Sequence, residues 1–146
     1  MRAVVTRVSS ASVVIDGVTE GEIQTGYLVL LGVGPNDTTA TAEKLAEKIC
    51  NLRVFEDENG KMNLNLEQVG GKLLVISQFT LYADTKSRRP GFTGAAKPDL
   101  AIPLYEHFME SCRQRGFVVE HGKFGADMKV HSVNDGPVTI LFDTET

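Results

Sequence analysis

The sequence has no tryptophan and only two cysteines among its 146 residues. Cys50 and Cys112 each fall inside a helical pattern, with no C-x-x-C pair and no Cys/His ligand spacing. A disulfide framework and a zinc site therefore have no footing, and both thiols read as reduced core residues. Histidine is nearly as scarce: His107, His121 and His131 are scattered, without H-E-x-x-H or comparable spacing, so neither a metal centre nor a His-dependent triad is expected. No apolar run approaches the ~18 residues of a membrane span, and a strand pattern starts at Met1-Arg2-Ala3-Val4-Val5, which predicts a cytoplasmic protein. Basic charge is also short. With 15 lysines and arginines against 19 acidic residues, the net charge is −4, which argues against a broad basic face that would hold duplex nucleic acid nonspecifically. The glycine-rich strings Gly32-Val33-Gly34-Pro35 and Gly91-Phe92-Thr93-Gly94 match neither a dinucleotide fingerprint nor a phosphate loop, and no cofactor is expected.

What is present suits one globular domain over residues 1–146, with a hydrophobic fraction of 42% and 23% charged residues. Arg2 to Ile15 alternates as one long strand, or two with a bulge near Ser9-Ser10, and Asp16-Gly17 turns it into a hairpin with Val18 to Gln24. Tyr27 to Val33 reads as a buried central strand. Thr38 to Asn51 repeats Ala42, Leu45, Ala46, Ile49 and Cys50 at helical spacing. A short hairpin follows, Arg53 to Phe55 and Met62 to Leu66 about Asp57-Glu58-Asn59-Gly60. A second helix is predicted from Asp99, with Pro103 in its first turn and a glycine stop at Gly116. Three further strands are expected at 117–120, 128–131 and 138–142. Two helices among many strands, without regular βαβ alternation, give an α/β class: a layered β/β/α sandwich or barrel-like mixed sheet with both helices packed on one face.

The centre of the chain is Lys72 to Asp84. Leu73 to Ile76 is a continuous apolar run, as in a strand buried on both faces, and it ends in Ser77-Gln78-Phe79-Thr80. Backbone N–H groups leaving a strand end, beside a glutamine amide, can form an oxyanion hole, yet no base stands next to Thr80 to make it a nucleophile. Taken alone, such a string is more often just a turn. The following loop, with Lys86, Arg88, Arg89 and Lys97, is locally basic and too long for a mere connection. A second constellation is Asn134-Asp135-Gly136-Pro137-Val138-Thr139, either an ordinary tight turn before the last strand or a rigid loop whose backbone carbonyls face a ligand; its Gly-Pro bond can be cis.

Ser77-Gln78-Phe79-Thr80-Leu81, Phe124-Gly125-Ala126-x-Met128, Asn134-Asp135-Gly136-Pro137-Val138-Thr139 and the start Met1-Arg2-Ala3-Val4-Val5-x-Arg7-Val8 together resemble, in order and spacing, the D-aminoacyl-tRNA deacylases of the bacterial and eukaryotic type. The resemblance spans the whole chain. It implies hydrolysis of the ester joining a D-amino acid, or glycine on an alanine tRNA, to the acceptor end of tRNA. It also implies catalytic residues Ser77, Gln78, Phe79 and Thr80, with Phe79, Phe124 and Met128 packed around the terminal adenosine. A homodimer is implied too, in which Gly136-Pro137, cis and held with help from Arg7, enters the partner's site and rejects L-side chains. Without a protein base, water attack assisted by the substrate's own 2′-hydroxyl is the expected chemistry. The rival classes are a noncatalytic RNA- or nucleotide-binding module and a hydrolase of small esters.

Overall fold

Strand β1 (Arg2–Ile15) sends Ala3 and Val5 into one core and Val8, Ala11 and Val13 into another, and the rest of the fold assembles on both its edges. The computed structural model describes all 146 residues. Asp16 and Gly17, with φ of 50° and 77°, both take the left-handed conformation of a tight hairpin turn and return the chain as β2 (Val18–Ile23). Next comes β3 (Gly26–Gly32), antiparallel to the first half of β1. Helix α1 (Thr39–Cys50) starts at Thr38, whose hydroxyl accepts from the Thr41 N–H while the Thr41 hydroxyl accepts from the Thr38 N–H. The small hairpin β4 (Phe55–Glu56) and β5 (Met62–Leu64) leads to β6 (Lys72–Ser77), parallel to β3.

Helix α2 (Pro98–Gln114) begins one residue before the expected Asp99, and Pro103, its sixth residue, stands in the second turn and not the first. The helix ends in paired capping bonds: Gly116 N–H donates to Arg113 O, and Phe117 N–H to Cys112 O, with Gly116 at φ 97°. Strand β7 (Val119–His121) then adds parallel to β6. The sheet order is β2-β1-β3-β6-β7, and Gly21 of β2 lies so close to β7 that a Cβ there would meet His121 O at 3.0 Å. That approach brings the two edges together and makes the sheet nearly a barrel. Both helices cover one face over a core of 25 residues, while seven, among them Leu74 and Ile76, fill the barrel side. Leu73 and Val75 face the helices, so β6 is buried on both faces, as its unbroken apolar run requires.

One expectation is corrected. Residues 128–131 and 138–142 are not separate strands; they lie in or beside a single strand, β8 (Lys129–Asp143), antiparallel to β1 along its whole length. The register jumps between Thr6↔Thr139 and Val8↔Asn134, so Asp135 to Val138 bulge out of the ladder. The Gly-Pro segment is therefore a bulge within a strand rather than a turn before one.

Candidate active site

Strand β6 ends at Ser77, and the chain tightens at once into a 3₁₀ turn, Phe79–Tyr82. Leu81 N–H closes the turn onto Gln78 O, leaving the Phe79 and Thr80 N–H groups without a partner inside it. Gln78 N–H donates to Leu31 O at 2.8 Å, so the entry to the turn is fixed by the central strand. The Gln78 side chain donates from Nε2 to Thr80 Oγ1 at 2.6 Å.

Beside this turn lies a pocket of about 230 Å³ lined by Ile76, Ser77, Gln78, Phe79, Phe124 and Met128, with Gly125, Ala126 and Val130. Five of the eight expected site residues thus meet there, although Phe124 and Met128 come from far along the chain. The lining offers hydroxyl, amide, backbone and apolar groups; it has no histidine, cysteine or carboxylate. Depressions of about 560, 390 and 360 Å³ are larger, but none joins two of the sequence motifs. Size alone does not select the site.

Phe124 is positioned from below. Its ring lies 6.2 Å from that of Tyr105 in α2, and Tyr105 donates its hydroxyl to Val75 O at 2.9 Å. Burial pushes the Tyr105 phenol above its ordinary range, so it stays neutral and serves as a strut. Phe79, 55% exposed, meets Phe92 edge-on at 5.2 Å, which fixes the root of the basic loop at the pocket's rim. Sequence reasoning gave Phe92 no part in the main site and did not assign Ile76, Ala126 or Val130 to it, although Ile76 closes the apolar run and Ala126 lies within the Phe124 to Met128 motif. The signal for Val130 was its two-residue spacing from Met128, which puts both on one face of an extended chain.

Thr80 does not line the pocket, nor do Gly136 and Pro137. The Gly136-Pro137 peptide is cis. Gly136 has φ 141°, and a Cβ on it would meet Val138 Cγ2 at 2.7 Å, Val138 N at 2.9 Å and Arg7 Nη2 at 3.1 Å. Arg7 is 5% exposed and donates from Nε to Asp135 O and from Nη1 to Val54 O. Asn134 closes the bulge from the other side: its Oδ1 accepts from Val138 N–H and its Nδ2 donates to Thr139 Oγ1. The bulge is thus braced from β1 and from its own base, and both Gly136 and Pro137 are exposed. Of the histidines, His107 pairs with Glu43 across the helices and His121 with the carbonyl of Gly122, both away from the pocket lining.

A family model described as D-Tyr-tRNA(Tyr) deacylase matches residues 4–143. The D-aminoacyl-tRNA deacylase of Shewanella baltica (strain OS185) is 61% identical over 140 residues, covering 95% of this chain and 97% of that protein. The D-aminoacyl-tRNA deacylase of Thermosipho africanus (strain TCF52B) is 54% identical, covering 99% and 98%. Among solved structures, one titled c-Myc DNA Unwinding Element Binding Protein superposes with a TM-score of 0.92 at 41% identity and covers 99% of both chains.

Proposed function

The chain belongs to the D-Tyr-tRNA(Tyr) deacylase family, and from that premise we propose that the pocket at the end of β6 is where it hydrolyses the ester of D-aminoacyl-tRNA. The activity is that of an ester hydrolase in translational proofreading. One observation carries the assignment of the site: Ser77, Gln78 and Phe79 converge with Phe124 and Met128 on a single cavity. Phe124 and Met128 present aromatic and soft apolar surface suited to the face of the terminal adenine. The Phe79 and Thr80 N–H groups take the carbonyl oxygen as it gains charge. Water adds to the carbonyl carbon, the ester C–O bond breaks, and the proton passes to the departing ribose oxygen with the neighbouring 2′-hydroxyl as relay.

The site is completed in trans. Gly136-Pro137 of one copy enters the pocket of a second, where its backbone carbonyls repel an L-side chain while a D-side chain, or the hydrogen of glycine, points elsewhere. Rejecting one enantiomer instead of fitting the other leaves the accepted side chain unconstrained, so glycine on an alanine tRNA is a substrate as well. Two observations support this arrangement. The braced bulge has no part in its own pocket's lining, and Leu141 and Val133 of β8, one on each side of the bulge in sequence, are 77% and 55% exposed, apolar side chains that a second copy would cover. No helix is long and apolar enough to cross a membrane, and we place the protein in the cytoplasm with its substrate.

The deciding assay measures release of D-tyrosine, L-tyrosine and glycine from charged tRNA and from a simple tyrosine ester. D-tyrosine leaving tRNA far faster than L-tyrosine is the expected result. Release no faster than without enzyme would end the reading; equal action on the simple ester would point to a small-ester hydrolase. Light scattering should give a mass near twice the 15.9 kDa of one chain.

A further inference from the structure

Twelve residues from Lys86 to Lys97 hold four of the protein's 15 basic side chains and no acidic one, leaving 11 basic against 19 acidic residues elsewhere. The charge is not spent internally. None of Lys86, Arg88, Arg89 and Lys97 takes part in an ion pair, although seven pairs occur across the molecule. Nor is the segment loose at its base: Asp84 and Gly91 exchange two backbone hydrogen bonds of 2.7 and 2.9 Å, Lys86 N–H donates to Asp84 Oδ1, and the Ser87 hydroxyl donates to Arg89 O. The result is a short hairpin with Arg88 and Arg89 at its exposed tip. Both of its arms grow from the pocket's rim. Asp84 follows the 3₁₀ turn of the site, and Phe92, next after Gly91, packs on Phe79.

We propose that this hairpin grips the phosphates of the acceptor end, with Arg88 and Arg89 contacting the nucleotides that precede the terminal adenosine. The proposal rests on the deacylase site being the pocket at the end of β6. Length argues for those phosphates over the scissile ester: three residues back from Gly91 of the bridge to Arg88, at no more than ~3.3 Å each, carry the arginines up to roughly 10 Å from the rim. That is about three stacked steps of ~3.4 Å along a strand. Charge argues for them over a protein partner of mixed surface, since a single-signed tip on an acidic molecule is a local well for polyanion. The rest of the acidic surface then keeps tRNA from settling elsewhere, so attraction and orientation come from one place.

The test compares wild type, R88A/R89A and the charge-preserving R88K/R89K. Each is assayed on D-tyrosyl-tRNA, on D-tyrosyl-adenosine, which has the ester and the base but no phosphate, and for binding of uncharged tRNA. For R88A/R89A we expect KM for D-tyrosyl-tRNA to rise about tenfold or more with kcat within about twofold, and hydrolysis of D-tyrosyl-adenosine to be unaltered. The salt dependence of tRNA binding should flatten by roughly 1.4 log units per log unit of salt, from two contacts at ~0.7 each on a single strand. R88K/R89K should recover most of the binding. Equal affinity of wild type and R88A/R89A for uncharged tRNA overturns the proposal, as does an equal loss on D-tyrosyl-adenosine, which would mean that the arginines support the pocket itself. Wild type that binds tRNA through the arginines yet cleaves neither ester would instead remove the deacylase reading and leave the phosphate grip standing.

Discussion

Gln78 Nε2 donates to Thr80 Oγ1 at 2.6 Å, and an amide N–H in that position cannot take the threonine's proton. With no histidine, cysteine or carboxylate in the pocket lining, Thr80 lacks the base that an attacking hydroxyl needs. Thr80→Ala should therefore keep turnover of D-tyrosyl-tRNA within roughly tenfold of wild type, whereas loss of a true nucleophile costs on the order of 10⁶. Trapping of an aminoacyl ester on Thr80 would refute this directly. Gly136 poses the opposite case, a position where one added carbon has nowhere to go. Its Cβ would sit 2.7 Å from Val138 Cγ2 and 2.9 Å from the Val138 nitrogen, at a backbone φ of 141° that L-residues rarely adopt. Gly136→Ala is expected to cost about 1–3 kcal/mol as the bulge shifts, leaving a cooperative fold in chemical denaturation but lowering deacylation at least tenfold.

Elements that local pattern dictates were legible: α1 with its apolar stripe from Ala42 to Cys50, the Gly116 stop of α2, and β6 with apolar side chains on both faces. Those that depend on distant partners were not. Asn134-Asp135-Gly136-Pro137 has turn chemistry and reads as a chain reversal, yet it stays in β8 because β1 continues alongside and Arg7 reaches across to Asp135 O. The Ser77 to Thr80 string was visible since its members are neighbours in sequence; that Phe124 and Met128 close the same pocket followed only from family resemblance. The β4–β5 hairpin shows local chemistry carrying a prediction of its own. Asp57 accepts from the Lys61 and Asn59 N–H groups and from Asn63 Nδ2, and those bonds, Lys61's foremost, hold its carboxyl below the ordinary 3.8. A depressed folded value means the carboxylate steadies the turn at pH above about 3.9 and that support fades as pH drops through the lowered value. Carboxyl NMR should show Asp57 titrating below the other exposed aspartates, and Asp57→Asn should abolish the associated shift of the Lys61 amide.

At the scale of the whole molecule, the separation of the Gly136-Pro137 bulge from its own chain's pocket lining becomes a statement about symmetry. In a two-fold dimer, each pocket would join the Ser77 to Thr80 segment of one copy to the bulge of the other. Consider two inactive variants, one altered at Gln78 and one carrying Gly136→Ala, unfolded or dissociated together and allowed to reassociate. A mixed dimer has one pocket in which both alterations coincide and one in which both halves are intact. Random pairing makes half of the dimers mixed, so activity should return to about a quarter of wild type per chain, from two inert preparations. If each pocket used its own chain's bulge, every pocket in every pairing would carry one damaged half, and mixing would restore nothing. A third variant separates complementation from mere stabilisation. Leu141→Glu puts a charge at an exposed apolar position of β8, and its expected effect is a mass near one chain by light scattering, together with loss of deacylation and of the ability to complement. Full activity from a Leu141→Glu monomer would show that one chain suffices and that the bulge acts in cis.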